Sequence, residues 1–189
     1  MSIYTVFDVE TTGLSIHSDI PLCFSYVSFK TGLNDITHAG TLLFYKSGQK
    51  HGAENIHGLS VDFLKEFETS YSTNIKTMYK VLCRGNLIGH NIESYDLPLI
   101  VNFYAERGYY DLTPQSIYDT VYFSGSKKIK LSKLVESLNI DKDFAQYFSK
   151  KIFKDSPLRG TTEYHSSEYD TIVTLMSYLS LKSGNEVNL

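Results

Sequence analysis

The stretch Phe7 to Leu14, reading FDVETTGL, constrains this chain more than any other. It is preceded by β-branched and aromatic residues, so Ile3 to Val9 is predicted to be a buried strand. Two acids interrupt that apolar run. Strand side chains alternate between faces, so Asp8 and Glu10 share one face while Phe7 and Val9 take the other. Adjacent carboxylates repel and lose hydration, an arrangement tolerated mainly when cations sit between them, and hard oxygen ligands favour Mg²⁺ or Mn²⁺. A solvated strand face would accommodate the same two acids. The next residues weigh against that. Thr11, Thr12 and Gly13 bring hydroxyls, turn chemistry and a closely approachable backbone, and Leu14 sets an apolar side chain beside the acids. From average residue usage, D-x-E-T-x-G-L would arise by chance in such a chain on the order of once in several thousand sequences.

The motif resembles the first motif of the DEDD superfamily of 3′ to 5′ exonucleases, in which these two acids bind catalytic metals. The resemblance implies two further carboxylates. In HNIESYDLPL, residues 90–99, Pro98 is tolerable only in a first helical turn and pins a helix start near Asp96, with Ser94 or Asn91 as cap and an end near Arg107. An acid there is an ordinary dipole partner. The whole string, however, resembles the second motif in the form seen in three-prime repair exonucleases. That makes Asp96 the third metal-binding acid and puts Asn91 and Tyr95 beside substrate, although Tyr95 could equally be core.

The third motif lies in YHSSEYDTIVTLMSYLS, a predicted helix over Tyr164–Ser180 capped by Ser166 or Ser167. His165 and Asp170 have the H-x-x-x-x-D spacing of the DEDDh (DnaQ-like) branch. The other branch carries Tyr where Ser166 stands here, and Ser167 replaces a commoner Ala. Ile56-His57-Gly58-Leu59 resembles a turn that lines the terminal-nucleotide pocket in these exonucleases, making Ile56, His57 and Leu59 candidate substrate contacts. A lone His in a loop is otherwise an ordinary surface residue.

The remainder of the chain fits one domain of 189 residues, with a core over about residues 3–181. Ile3 to Tyr45 reads as a three-stranded antiparallel meander; helices follow at Ser60 and over Ser72–Arg84, then a strand over Asn86–Gly89 and another over Ile117–Phe123. Asp119-Thr120 matches a D-T pair of the family and is read as structural. Eight lysines between Gly125 and Lys154 describe solvated helix faces, or phosphate contacts interleaved with Phe144, Tyr147, Phe148 and Phe153. The expected class is α/β, a mixed five-stranded sheet flanked by helices, and the resemblance implies its ribonuclease H-like version. A net charge of -3 excludes a globally basic nucleic-acid coat but permits a local positive groove. Cys23 and Cys83 read as reduced core thiols without a zinc signature, and neither a leader nor an apolar run of ~18 residues is expected, so the reading is a cytoplasmic protein without a membrane partner.

The resemblance thus implies a hydrolase that holds two Mg²⁺ or Mn²⁺ on Asp8, Glu10, Asp96 and Asp170. His165 would be the general base. Thr11, Thr12 and Gly13 would touch the terminal sugar and phosphate, and Leu14 and Ile56 would wedge against its base. Nucleoside 5′-monophosphates would leave from 3′ ends of single-stranded or frayed DNA, in repair or, with a separate polymerase partner, in proofreading. An exoribonuclease of the same fold shares every catalytic residue. A catalytically silent module that binds nucleic acid or a polymerase would have no chemical need for all five.

Overall fold

The computed structural model describes residues 2–123, 127–158 and 166–186. Five strands, β1 (Tyr4–Thr11), β2 (Pro21–Phe29), β3 (Ile36–Leu43), β4 (Asn86–Gly89) and β5 (Ser116–Asp119), form one sheet in the order β3-β2-β1-β4-β5. β1, β2 and β3 pair antiparallel, as the expected meander requires, and β4 and β5 run parallel to β1. The acid-bearing strand therefore occupies the centre.

Seven helices are described: α1 (Glu54–His57), α2 (Val61–Lys65), α3 (Tyr71–Leu82), α4 (Asp96–Ala105), α5 (Leu131–Ser137), α6 (Lys142–Ile152) and α7 (Ser167–Glu186). The alternation along β1 sorts them onto two faces. Phe7 and Val9 join Met78 and Leu82 of α3 and Ile100 and Phe103 of α4 in one buried cluster. Val6 joins Ala145 of α6 and Ile172, Val173 and Met176 of α7 in another. Full burial of such side chains stabilises by ~1.5–3 kcal/mol each, so a register slip that exchanged the faces of β1 would cost several times that. Asp8 and Glu10 share the parity of Val6 and so face α7.

Four local expectations change. β5 is shorter than Ile117–Phe123, because the Asp119 carboxylate accepts from the Val121 N–H and turns Thr120–Tyr122 into a 3₁₀ turn. α7 continues to Glu186, past the expected end at Ser180, since no proline intervenes and Leu181 is buried. Neither Ser94 nor Asn91 caps α4; Tyr95 occupies that position without a side-chain cap bond, and Ser94 instead accepts from Lys128. Of the four aromatics interleaved with the lysines, Phe153 is core, Phe148 packs against the α7 cluster, and only Phe144 and Tyr147 turn outward. No helix among the described residues is long and apolar enough to cross a membrane.

Candidate active site

Three elements bring the four acids together: β1 supplies Asp8 and Glu10, the first residue of α4 is Asp96, and the first turn of α7 carries Asp170. What holds α7 in place is a buried polar seam. Ser166 caps the helix by accepting from the Tyr169 N–H at 3.2 Å. The Ser167 hydroxyl, fully buried, lies 2.8 Å from Ser25 Oγ and 3.2 Å from Cys23 Sγ, and Thr171 donates to the Ser25 carbonyl at 3.2 Å. Cys23 and Ser25 are the register partners of Glu10 and Asp8. The seam therefore sets the helix turn bearing Asp170 against the strand pair bearing the other acids. Ser167 is thus more than a small substitute for Ala, and Cys23, whose thiol burial drives far up, is the core thiol expected, whereas Cys83, at the C-terminal end of α3, is exposed.

Asp96 is positioned from the other side. The Asp119 carboxylate accepts from the backbone N–H groups of Asn91 at 2.7 Å and Glu93 at 3.0 Å, holding the turn in which Asn91 adopts a left-handed φ of 65°. Gly89 precedes this turn, and a Cβ there would fall 2.2 Å from Ile92 Cγ2, so only glycine lets the chain fold back. Lys128 donates to Asn91 Oδ1 at 2.9 Å and Ser94 Oγ at 2.8 Å. The structural reading of Asp119 matches this geometry.

The acids act on one another electrostatically. Burial, then Asp170, Glu10 and Asp96 in turn, holds the Asp8 carboxyl well above the usual carboxylate range. Glu10 is pushed to about 7 by burial and Asp170, and Asp96 to about 8 by burial, Asp119 and Glu10. Among the described residues, the charged neighbours that shift Glu10 and Asp96 are themselves acids. No three His, Cys, Asp or Glu side chains among the described residues stand close enough together to enclose an ion. By donor chemistry the set nonetheless fits a hard divalent cation, because oxygen ligands whose ionisation is opposed by like charge gain most from one.

Two loops flank the acids. Leu14 and Ile56, at 85% and 70% exposed, present apolar surface on the β1–β2 loop and on α1. Asp19 binds these loops together: its buried carboxylate takes the Thr12 hydroxyl at 2.7 Å, the Ser15 N–H at 2.8 Å and Lys50 Nζ at 2.6 Å. Burial opposes its ionisation, but the hydrogen bonds from Lys50, Ser15 and Thr12 outweigh that and hold its pKa down. Gly13 packs so tightly on this carboxylate that a Cβ would lie 2.7 Å from it. Tyr95 donates to the Gly13 carbonyl, and its hydroxyl lies 2.7 Å from that of Thr11, tying the loop to the start of α4.

Several expected substrate contacts turn inward. The Thr12 side chain is spent on Asp19 and the Ile20 N–H. His57 is buried, accepting from the Leu59 N–H at 3.0 Å through Nδ1 and donating to the Gly52 carbonyl at 3.0 Å through Nε2; burial lowers its pKa and favours this neutral form. Leu59 sits in a core cluster with Leu22, Leu43 and Leu64. These three side chains are spent on holding the loops and the short α1 together. Thr11 shares its hydroxyl with Gly13 and Tyr95, and the Asn91 side chain is held by Lys128. Leu14 and Ile56 alone of the set are open apolar surface. His165 lies outside the described residues. Sequence reading missed Asp19, which sits in a polar stretch without periodicity, and it placed Lys128 among the lysines of a solvated or phosphate-binding run without its bonds to Asn91 and Ser94; the seam at Ser25 and Ser167 left only the faint signal of hydroxyls near apolar runs.

No family model and no curated protein matches the sequence. Solved structures do. Escherichia coli exonuclease I in complex with a dT13 oligonucleotide superposes with a TM-score of 0.72 at 14% identity, over 100% of this chain and 42% of that one. The fold is ribonuclease H-like. A moderately thermophilic exonuclease I from Methylocaldum szegediense gives a TM-score of 0.63 at 16% identity, over 97% of this chain and 41% of that one. A product-bound exonuclease I gives 0.65 at 16%, over 96% and 43%. The chain thus spans about two fifths of the length of these proteins.

Proposed function

We propose that the chain is a metal-dependent 3′ to 5′ exonuclease acting on single-stranded DNA. The observation that carries this reading is the convergence of Asp8, Glu10, Asp96 and Asp170 from three separate elements into one mutually perturbing set. Burial and neighbouring acids oppose the ionisation of Asp8, Glu10 and Asp96, a state that a bound divalent cation relieves. Supporting it, the structurally similar exonuclease I proteins are captured with dT13 and dA16 oligonucleotides and with product.

Asp8, Glu10, Asp96 and Asp170 would hold divalent cations, which when bound supply Lewis-acid activation of water and stabilisation of charge on the phosphate. The chain's own residues do the rest. Leu14 and Ile56 press on the faces of an unpaired terminal base, a contact that reads no sequence and needs a frayed or single-stranded end. Tyr95 and Asp19 keep the Gly13 loop where its backbone can meet the terminal sugar. His165 accepts the proton of the attacking water as the bond to the 3′ oxygen breaks, releasing a nucleoside 5′-monophosphate. The proton-transfer chemistry of an imidazole and the spacing of His165 from Asp170 in the sequence support that role. On 5′-labelled linear DNA this activity produces a descending ladder, and circular single strands survive. Cuts in a circle would instead identify an endonuclease, and faster loss of RNA of the same sequence an exoribonuclease.

A further inference from the structure

The edge of the sheet formed by β5 carries aromatic and cationic surface that the site does not use. Tyr118, Tyr122 and Phe123 are 36%, 40% and 47% exposed. With Asp119, Thr120 and Leu181 they line a cavity of about 350 Å³. Two lysines stand at its rim. Lys182 Nζ lies 5.9 Å from the centre of the Tyr118 ring, and Lys128 Nζ lies 5.9 Å from that of Tyr122. The acid in this wall, Asp119, has its carboxylate engaged by the N–H groups of Asn91, Glu93 and Val121, so its repulsion of an anion is offset. The exposed surface of Tyr122 and Phe123, with lysines set over the Tyr122 and Tyr118 rings, suits an unpaired polynucleotide, whose bases stack while its phosphates meet the lysines. Lys128 also ties this surface to the segment that leads into Asp96, donating to Asn91 and Ser94.

We infer that this surface holds the single strand upstream of the scissile phosphate. The inference rests on the exonuclease reading, and it adds a length requirement that four acids and a terminal pocket do not impose. A duplex is a poor occupant, because its base faces are already covered. Three substrates separate the two ideas: the p-nitrophenyl ester of thymidine 5′-monophosphate, which reaches only the acids, a trinucleotide of thymidine, and an oligothymidylate of about twenty nucleotides. Tyr122→Ala and Phe123→Ala raise KM for the long strand about tenfold, the scale of one lost base stack. They leave the ester's kinetics within about twofold, and Tyr122→Trp restores the long-strand KM. Removing Lys182 reduces the slope of log affinity against log salt by ~0.7, as for one phosphate contact on a single strand. Equal losses on ester and long strand, or no loss on either, overturn the inference. Should the wild type hydrolyse none of the three, the exonuclease reading itself fails. Fluorescence anisotropy with labelled oligothymidylate in EDTA then judges the surface alone: weaker binding by the alanine variants upholds it, while unchanged binding, or equal affinity for blunt duplex, overturns it.

Discussion

Asp96 shows how one side chain links chemistry to stability. Its pKa of about 8 and that of Glu10 at about 7 lie above the range near 4 that carboxylates have in an unfolded chain. Across that window the folded chain keeps protons that the unfolded chain has released, so metal-free stability falls as pH rises from about 5 to 8. Asp96→Asn removes a share of the penalty. It is expected to raise the pH 8 melting temperature in EDTA by roughly 2–4 °C, about 1 kcal/mol for a chain of this size, and to flatten the pH dependence. A melting temperature that rises with pH, or a destabilised Asp96→Asn, would contradict the strain assigned to these acids. His165 makes a separate, kinetic prediction. His165→Ala lowers kcat by ~10²-fold or more, the scale for a positioned general base, with little change in KM and loss of the ascending limb of the pH–rate profile near neutrality. If the limb survives in the variant, another group sets it.

At the scale of elements, the loops around the acids depend on buried polar contacts as much as on apolar ones. Asp19→Ala strands the Thr12 hydroxyl, the Ser15 N–H and Lys50 at once. Loss of such contacts, of order 1–3 kcal/mol, loosens the Leu14 loop against α1. The expected outcome is a ~5-fold or larger rise in KM with kcat changed less, and a milder rise for Lys50→Met, whose ammonium is half exposed. Equal loss in kcat for both variants would mean that the loops do not set substrate position. This layer is also where the sequence was least legible. Strand alternation in β1 and Pro98 near the start of α4 are local signals, and each lies where the sequence puts it. The Ser25–Ser167 seam and the Asp19–Lys50 tie are long-range pairs with no period at all. A loop sequence does not reveal which side faces the core, so the inward placement of His57 and Leu59 is not legible in it.

For the whole molecule, the order β3-β2-β1-β4-β5 puts the acid strand in the middle, with α4 entering on one side and α7 packed on the face that Asp8 and Glu10 share. No single element would carry the proposed chemistry; it depends on the junction of β1, α4 and α7. Removing one carboxylate from that junction should abolish activity without unfolding the chain, because none of the four is core packing. The most direct measurement follows a 5′-labelled single-stranded DNA over time with wild type and Asp8→Ala, in EDTA and then with Mg²⁺ or Mn²⁺ restored. The wild type should be silent in EDTA and produce a descending ladder once the ion is present, and Asp8→Ala, with an unchanged circular dichroism spectrum, should produce none at either stage. Cleavage in EDTA, or a wild-type ladder from Asp8→Ala, would contradict the account.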